Sequence, residues 1–229
     1  MFWCDLPRDV VVVRGPDAAS FLQSQTSQDL RPLAVGDSAW SFLLEPQGRI
    51  DVLLRVWRAA EDEYVLDTDA GFGEAMRARL QRFRIRVKAD VEPVGWRCIA
   101  VRGEGAEGLA GLPAWGGGVD LLGPDPSPPV GARAGTAEDL LRARIDAVWP
   151  AMGTEILPGV TIPAETGIVP QAVSFTKGCY PGQELVERMD SRGATARRSL
   201  QRVRVAEHVG DCTSQSGEFG LAYVARGAS

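Results

Sequence analysis

The stretch of the chain that could carry chemistry is the octapeptide KGCYPGQE, residues 177–184. It places the thiol of Cys179 two residues after Lys177 and just before PGQELVERM, which predicts a helix with Pro181 in its first turn. The free N–H groups of a helix start and the Lys177 cation favour a thiolate, and a cysteine so placed can have its pKa lowered from about 8.5 to roughly 3.5–7.5. The pattern indicates a reactive or ligating thiol.

The two glycines of the octapeptide leave a second interpretation open. Gly178 and Gly182 allow backbone conformations and close approaches that other residues would block. A glycine-lined turn around a small buried thiol would use the same residues. The local sequence is compatible with both a functional thiol and a buried one.

Other kinds of catalytic or metal site find little support. His208 is the only histidine, and its polar surroundings near the C-terminus are typical of a surface residue. The chain has four widely separated cysteines, which exclude a local pair of metal ligands: Cys4, Cys98, Cys179 and Cys212. Neither a dinucleotide-binding GxGxxG nor a phosphate-binding GxxxxGKS/T occurs. We therefore predict no metal site.

The composition is typical of a globular protein of one large or two small domains, with 229 residues, 45% of them apolar and 24% charged. Four thiols in a chain of this size need no disulfide, which indicates a reducing compartment. The N-terminus shows no signal peptide, and its apolar stretch Val10–Val13 is far too short to cross a bilayer. We expect a cytoplasmic protein without a membrane partner.

Positive charge resides almost entirely in arginine, an excess that we interpret as genomic base composition. One basic run leads from a predicted helix into a predicted strand: Arg77, Arg79, Arg82, Arg84, Arg86 and Lys88. It is typical of a solvated face, and it would also suit an anionic partner such as a ligand carboxylate or an RNA phosphate. Because the net charge is −5, we expect no direct nucleic-acid partner.

The elements that must position the octapeptide mix strands and helices. Two apolar patterns with helical spacing predict helices at residues 16–30 and 71–83. Runs rich in β-branched and apolar residues predict strands at residues 9–13, 38–44, 49–57 and 64–67. The turn EPQG predicts a hairpin between the second and third of these strands. Strands joined by hairpins favour an α+β fold over a doubly wound parallel sheet.

The remainder of the chain is divided by a change in composition. Between residues 103 and 135, 15 of 33 residues are Gly or Pro, which predicts a loop-rich connector around at most one short strand at VDLL. Thr136 and Asp139 predict a capping box that starts a helix ending before Pro150. The last strands are predicted at residues 200–205 and 219–224.

The octapeptide resembles the signature of the YgfZ family of folate-binding proteins, which is related to the T-protein of the glycine cleavage system and includes mitochondrial iron–sulfur assembly factors. Four further blocks resemble the N-terminal, central and last regions of that family: FLQSQTSQDLRPLAVGDSAWSFLLEPQGRI, RARIDAVWPAMGTEI, IPAETGI and GLAYV. The similarity runs from about residue 9 to residue 225 and is weakest in the connector.

The resemblance implies an α+β, T-protein-like cloverleaf around a central folate cleft, followed by a small β-barrel domain. Only about 30 residues follow Ser199, so we expect a truncated C-terminal β-barrel domain. Four parts are predicted: an N-terminal T-protein-like subdomain (1–102), a reduced middle subdomain or connector (103–135), the second half of the folate-binding domain with the octapeptide (136–198), and a truncated barrel-like segment (199–229).

The T-protein transfers an aminomethyl group with paired aspartates that follow the glycine corresponding to Gly48. Those positions are Val52 and Leu53 here, and Asp51 is one residue early, which on a strand points it to the other face. Because an acid or base must lie within hydrogen-bond reach of its proton, aminomethyl transfer is not the expected reaction. The alternative is a folate-dependent one-carbon transferase or demethylase that uses Asp51 or another acid in place of the missing pair, so whether the protein is an enzyme stays open.

The resemblance implies a tetrahydrofolate-binding protein that assists iron–sulfur cluster assembly or repair, and indirectly tRNA modification, through Cys179. Lys177 and Tyr180 would tune and position the thiol, while Gln183 and Glu184 would fix the loop or contact the ligand. One cysteine cannot hold a cluster that needs four thiolates. The expected partners are therefore iron–sulfur assembly factors or cluster-containing clients.

Three further residues are predicted to contact the tetrahydrofolate cofactor. A pterin needs a carboxylate on its amino edge, and its glutamate tail needs a cation. Glu165 and Arg144 lie in blocks that resemble the central region of the family, and Arg192 follows the octapeptide helix. We predict all three as cofactor-binding residues.

Overall fold

Three sheets and five α-helices make up the part of the chain that the computed structural model describes, which is residues 1–191, 196–225 and 227. The helices are α1 (Ala18–Gln25), α2 (Gly73–Phe83), α3 (Ala137–Asp146), α4 (Val169–Ala172) and α5 (Gln183–Ser191). The strands are β1 (Phe2–Asp5), β2 (Arg8–Arg14), β3 (Ser38–Leu44), β4 (Ile50–Ala60), β5 (Glu63–Asp69), β6 (Asp90–Val94), β7 (Arg97–Arg102), β8 (Leu112–Pro113), β9 (Val119–Gly123), β10 (Arg133–Ala134), β11 (Arg198–Arg204), β12 (Cys212–Ser216) and β13 (Phe219–Ala225).

The first sheet has five antiparallel strands in the order β3-β4-β5-β2-β6. The helices α1 and α2 cover one face of it, where Leu22 and Leu80 join Val11, Leu54 and Leu66 of the strands in one apolar cluster. Helices packed on hairpin-joined strands confirm the predicted α+β class.

The second sheet has the order β10-β1-β7-β9-β8, in which only the β1–β10 pair is parallel. The strand predicted at VDLL is β9. The strands β8, β9 and β10 all come from the Gly/Pro-rich connector, and they share this sheet with β1 and β7. The predicted boundary after residue 102 therefore runs through a sheet, and the four-part division of the chain stays a prediction.

The third sheet is C-terminal and has three antiparallel strands in the order β11-β13-β12. It packs against α3 through the buried side chains of Ile145, Leu200 and Leu221. Two of its strands match the predicted ones, whereas β12, with the polar sequence CTSQS, carries no hydrophobic signal. Three strands are too few to close a barrel, as expected for a truncated segment.

The segment between α3 and α5 packs on the face of the first sheet that α1 and α2 leave open. The capping box predicted at the start of α3 is confirmed, with Thr136 and Asp139 each bonding the backbone N–H of the other. Beyond α3, Trp149 and Tyr180 enter one apolar cluster with Phe42 of β3 and Leu53 of β4. This packing brings the octapeptide next to the EPQG hairpin turn. None of the described helices is both long and apolar enough to span a membrane.

Candidate functional site

Cys179 is exposed on the loop between α4 and α5. The other three cysteines are less accessible, since Cys4 and Cys98 are buried and Cys212 is half-buried. Burial raises the pKa of the Cys4 and Cys98 thiols, which disfavours their reactive thiolate forms. The interpretation of Cys179 as a small buried thiol is therefore wrong.

Lys177 is buried and attaches this loop to α1. Its ammonium donates hydrogen bonds to the carbonyl oxygens of Gln23, Thr26 and Gln28, with N–O distances of 2.7, 2.5 and 3.0 Å. These carbonyls lie at the C-terminal end of α1, where the helix dipole favours a cation. Burial lowers the pKa of Lys177 to about 8. Lys177 thus positions the loop through the backbone, and its tuning of the thiol stays a prediction.

Tyr180 holds the other side of the loop. Its side chain is buried in the apolar cluster with Phe42 and Ile168, and the Lys177 ammonium lies 5.2 Å from the centre of its ring. Burial raises the pKa of Tyr180 to about 12, so the phenol is neutral at physiological pH. Tyr180 is an apolar anchor with a cation–π contact, and it leaves the neighbouring thiol outside the core.

A tight turn separates the thiol from α5. The carbonyl of Tyr180 accepts a bond from the N–H of Gln183, and the side-chain oxygen of Gln183 accepts one from the N–H of Tyr180, both at 3.3 Å. Pro181 at the second position and Gly182, with a φ of +82°, at the third are the residues of a type II turn. The helix consequently begins at Gln183, and the prediction that Pro181 lies in its first turn is wrong.

The two glycines of the octapeptide have different surroundings. A side-chain carbon on Gly182 would lie 2.5 Å from the carbonyl oxygen of Glu45 and 3.0 Å from the Cα atom of Gly48, so the two turns pack backbone against backbone. Gly178 has no atom within 4 Å of the equivalent position. Gly182 is required by the close approach, whereas Gly178 leaves open space beside Cys179.

Cys179 lies at an open cleft of about 420 Å³. The cleft is lined by Pro46 of the hairpin turn, by the turn before α5 and by the first residues of that helix, including Glu184 and Glu187. Glu184 is exposed, and Glu187 accepts a hydrogen bond from the side-chain amide of Gln183. Within the described residues, no group of three or more His, Cys, Asp or Glu side chains could hold a metal ion. The cleft can offer an approaching partner one sulfur and two carboxylates.

Arg144, predicted to contact folate, is engaged by the protein. Three of its N–H groups donate to the carbonyl of Trp149, the carboxylate of Glu155 and the hydroxyl of Ser214, at 2.9, 2.7 and 2.6 Å. Glu155 is itself buried and also accepts a bond from Thr213. This polar cluster joins α3 to β12, so the position of Arg144 has a structural explanation.

Glu165 and Arg192 complete the predicted folate contacts. Glu165 forms an ion pair with Arg198 of β11 at 2.9 Å, and its side chain is mostly buried. Neither Glu165 nor Arg144 lines the cleft beside Cys179. Arg192 lies outside the described residues. The structure therefore does not bring Arg144 or Glu165 to the thiol.

Asp51 is the extra residue of a β-bulge between β3 and β4. Its carboxylate lies 3.7 Å from Nε of Arg79 on α2, and partial burial raises its pKa although Arg79 opposes the shift. Val52 and Leu53, at the positions of the T-protein aspartates, are buried apolar side chains. Asp51 is thus paired with the helix that covers the far face of the sheet, so the transferase alternative would need another acid.

A buried network of arginine and aspartate, which the sequence patterns did not reveal, joins the first two sheets. Asp67 binds both Arg8 and Arg55, at 2.7 and 2.9 Å, and Asp120 binds both Arg55 and Arg102 at 2.9 Å. Although burial alone would lower the pKa of Arg55, the two carboxylates raise it above its ordinary value. The only sequence signal is a charge placed within apolar strand residues, as in LLRVW and VDLL.

Comparison with known proteins agrees with this architecture. Residues 9–111 match the family model described as the GCVT N-terminal domain. The crystal structure of the glycine cleavage system aminomethyltransferase T from Bartonella henselae superposes with a TM-score of 0.69 over 97% of this chain and 78% of that one. At 18% sequence identity this likeness establishes the fold, and the predicted T-protein-like fold is confirmed.

Two relatives indicate which group of T-protein-like proteins this chain resembles. The mitochondrial iron–sulfur cluster assembly factor IBA57 of Homo sapiens is 31% identical over 83% of this chain and 63% of its own length. The tRNA-modifying protein YgfZ of Edwardsiella ictaluri is 30% identical over 81% of this chain and 65% of its own length. Together with the family match and the structural neighbour, these relatives support a T-protein-like family of the IBA57 and YgfZ type for this chain. Because it spans less than two thirds of either relative, the activities and partners of these IBA57 and YgfZ proteins apply to it only as proposals.

Tetrahydrofolate is implied by the T-protein-like fold, but two of the three side chains predicted to hold it, Arg144 and Glu165, are already paired within the protein and do not fit that role. Arg144 and Glu165 bind Glu155 and Arg198 of the protein, and Asp51 binds Arg79. A pterin that used these groups would leave buried or half-buried partners unpaired, which is costly. No step of the chemistry proposed for this IBA57/YgfZ-type chain therefore involves folate.

Proposed function

We propose that this protein assists iron–sulfur cluster assembly or repair by presenting Cys179 as a transient cluster ligand. The observation that carries the proposal is the exposure of this one thiol at an open cleft, on a loop fixed from both sides by Lys177 and Gly182. A rigid support matters because a ligand held in place loses less conformational entropy when it binds.

The proposed chemistry uses ligand exchange. The Cys179 thiol gives up a proton and its sulfur replaces one partner cysteine on an iron of the incoming cluster; the displaced partner thiolate takes up a proton, and the remaining partner cysteines stay bound. A partner thiolate then replaces Cys179, which takes up a proton again. No electron transfer is needed, and the open cleft leaves room for a second protein at the metal.

The names of the relatives support this role. One relative is named as an iron–sulfur cluster assembly factor and another as a tRNA-modifying protein. A cluster-assisting role would connect the two, because tRNA modification would depend on cluster-containing enzymes that this protein serves. We propose such enzymes, or assembly factors that load them, as the partners.

The test is a cluster-transfer assay in which the purified protein accelerates loading of an apo-acceptor. Cys179→Ala should abolish the acceleration and leave the free energy of unfolding within about 0.5 kcal/mol of the parent, because the side chain is exposed. Cys212→Ala, which alters the half-buried thiol on β12, is the matched control and should keep full activity. Full activity of Cys179→Ala would rule out the thiol role.

Folate binding stays a prediction drawn from the family resemblance. Isothermal calorimetry with tetrahydrofolate tests it directly. Binding that persists in Glu165→Gln would show that the ligand uses residues other than those we predicted. We do not propose folate-dependent transfer, since Asp51 is paired with Arg79 and the two positions after it are apolar.

A further inference from the structure

The basic run noted in the sequence ends in an irregular loop between α2 and β6. We use the name basic loop for residues 82–88, with the sequence RFRIRVK, which comprise the last two residues of α2 and the irregular segment that follows it. The side chains of Arg82, Arg86 and Lys88 are exposed. Arg84 pairs with Asp90 at 3.1 Å, but no acidic residue of the described chain lies within ion-pair distance of the other three. The basic loop thus carries unpaired positive charge on a protein whose net charge is −5.

Two apolar side chains stand among these cations. Ile85 is 76% exposed, and Phe83 is 38% exposed with the guanidinium of Arg79 stacked 3.9 Å from its ring centre. Arg86 has a φ of +59°, in the left-handed region that costs a residue with a side chain about 1 kcal/mol or more. The strained backbone thus lies at the residue next to Ile85, and the Ile85 side chain lies at the surface.

The basic loop is connected to the thiol cleft by direct contacts. Arg79, which stacks on Phe83, donates to the carbonyl of Leu44 at 3.1 Å. On its other side, Leu44 approaches Gly182, since a side-chain carbon on that glycine would lie 2.9 Å from the Cβ atom of Leu44. One strand end thus separates the basic loop from the turn that follows Cys179.

We propose that the basic loop docks an acidic protein partner, with Ile85 entering an apolar pocket of that partner, so that its cysteines face Cys179. This proposal rests on the proposed cluster transfer and names the surface by which the partner is recognised. Arginine around an apolar anchor is a common composition of the centre of a protein interface. A nucleic acid is disfavoured as the partner because Arg79 covers a face of Phe83 on which a base would stack. A membrane is disfavoured because two exposed apolar residues are few for binding to a lipid surface.

The first test measures binding with a fluorescein-labelled acidic peptide that carries a Phe–Leu pair, by fluorescence anisotropy. The double variant Arg82→Glu/Arg86→Glu should weaken binding roughly tenfold or more and abolish its salt dependence. Arg197→Glu/Arg204→Glu, the same charge change on exposed arginines near and on β11, is the control and should bind within about twofold of the parent. Equal losses in both double variants would overturn the proposal.

The apolar anchor and the class of partner are tested separately. Ile85→Ser should weaken peptide binding about threefold to tenfold, whereas Val209→Ser, at a position that is 82% exposed, should not. Tighter binding of single-stranded RNA or of phosphatidylserine vesicles through Arg82 and Arg86 would overturn the assignment of a protein partner.

Failure of the docking proposal can be told apart from failure of the proposed function. In the cluster-transfer assay, the Arg82→Glu/Arg86→Glu variant should need a higher acceptor concentration and recover at saturation, while Cys179→Ala should be inactive at every concentration. If Cys179→Ala is inactive and the double variant matches the parent, the thiol role stands and the docking proposal fails. If Cys179→Ala is fully active and the double variant binds the peptide more weakly than the parent, the docking proposal stands and the thiol role fails.

Discussion

Two regions of the molecule contain buried cations, and they satisfy them with different partners. In the arginine–aspartate network, each buried guanidinium pairs with a carboxylate of a neighbouring strand or sheet. In the octapeptide loop, the buried ammonium of Lys177 binds three backbone carbonyls. Every charge of the network is used in the ion pairs that join the two sheets. The octapeptide loop uses the Lys177 cation for its attachment and leaves the thiol of Cys179 exposed. Similar charges thus serve stability in one place and presentation of a functional group in the other.

The largest expected effect is a loss of stability when a residue of the arginine–aspartate network is substituted. Asp120→Ala removes the shared acceptor of Arg55 and Arg102, so the buried guanidinium of Arg102 loses its carboxylate and that of Arg55 keeps only Asp67. We expect a loss of about 3–5 kcal/mol in the free energy of unfolding, measured by urea denaturation. Asp5→Ala, which breaks the exposed pair with Arg97, should change stability little. Similar values for the two variants would show that the network is not what joins the sheets.

The next largest effect is a difference in stability between alanine substitutions at the two glycines of the octapeptide. Gly182→Ala forces a side chain into a left-handed turn and against the carbonyl of Glu45. We expect a destabilisation of about 2–4 kcal/mol and reduced cluster transfer, because the loop must shift. Gly178→Ala, at a position with open space, should stay within about 0.5 kcal/mol of the parent. Chemical denaturation and the cluster-transfer assay on both variants test this expectation. If Gly182→Ala matched the parent, close packing of its turn against the EPQG turn would not be required.

The smallest expected effect is a pH dependence of the free energy of unfolding that is due to Lys177. Burial lowers its pKa from 10.5 to about 8, so between these values the unfolded chain holds a proton that the folded chain has released. Stability contributed by this group therefore rises with pH through that window and is lost as the pH falls through 8. Urea unfolding of the parent and of Lys177→Met across pH 8 to 10.5 should give curves that diverge. Parallel curves would mean that the carbonyls hold the ammonium at its ordinary pKa.

Local sequence signals were sufficient for much of the fold. The capping box at Thr136, the EPQG turn and the apolar spacing of α2 depend on neighbours in the sequence, and each is confirmed. The stretch IRVKADV, residues 85–91, was predicted to have strand character. Ala89 and Val91 are buried in the core and Val87 packs against it, but β6 begins only at Asp90, because residues 85–89 pair with no strand of the described chain.

The candidate site was less predictable because its supports are distant in sequence. The thiol and the glycine turn could be found from composition, but the attachment of Lys177 depends on carbonyls at the end of α1. Such groups carry no sequence signal, since every residue has one. The buried arginines Arg55 and Arg102 were missed for a related reason: a strand charge becomes a core charge only when another sheet covers it. Arg144 and Glu165 were predicted for their charge, and that charge is used within the protein.

The attachment of Lys177 also has a consequence for the order of folding. The ammonium and the carbonyl of Thr26 are 151 residues apart in the chain, and contacts of such high separation close large loops and form late. During synthesis, α1 leaves the ribosome long before residue 177, so its last carbonyls stay bound to water until the octapeptide arrives. The Lys177 contact that fixes the loop of Cys179 is therefore expected to form near the end of folding.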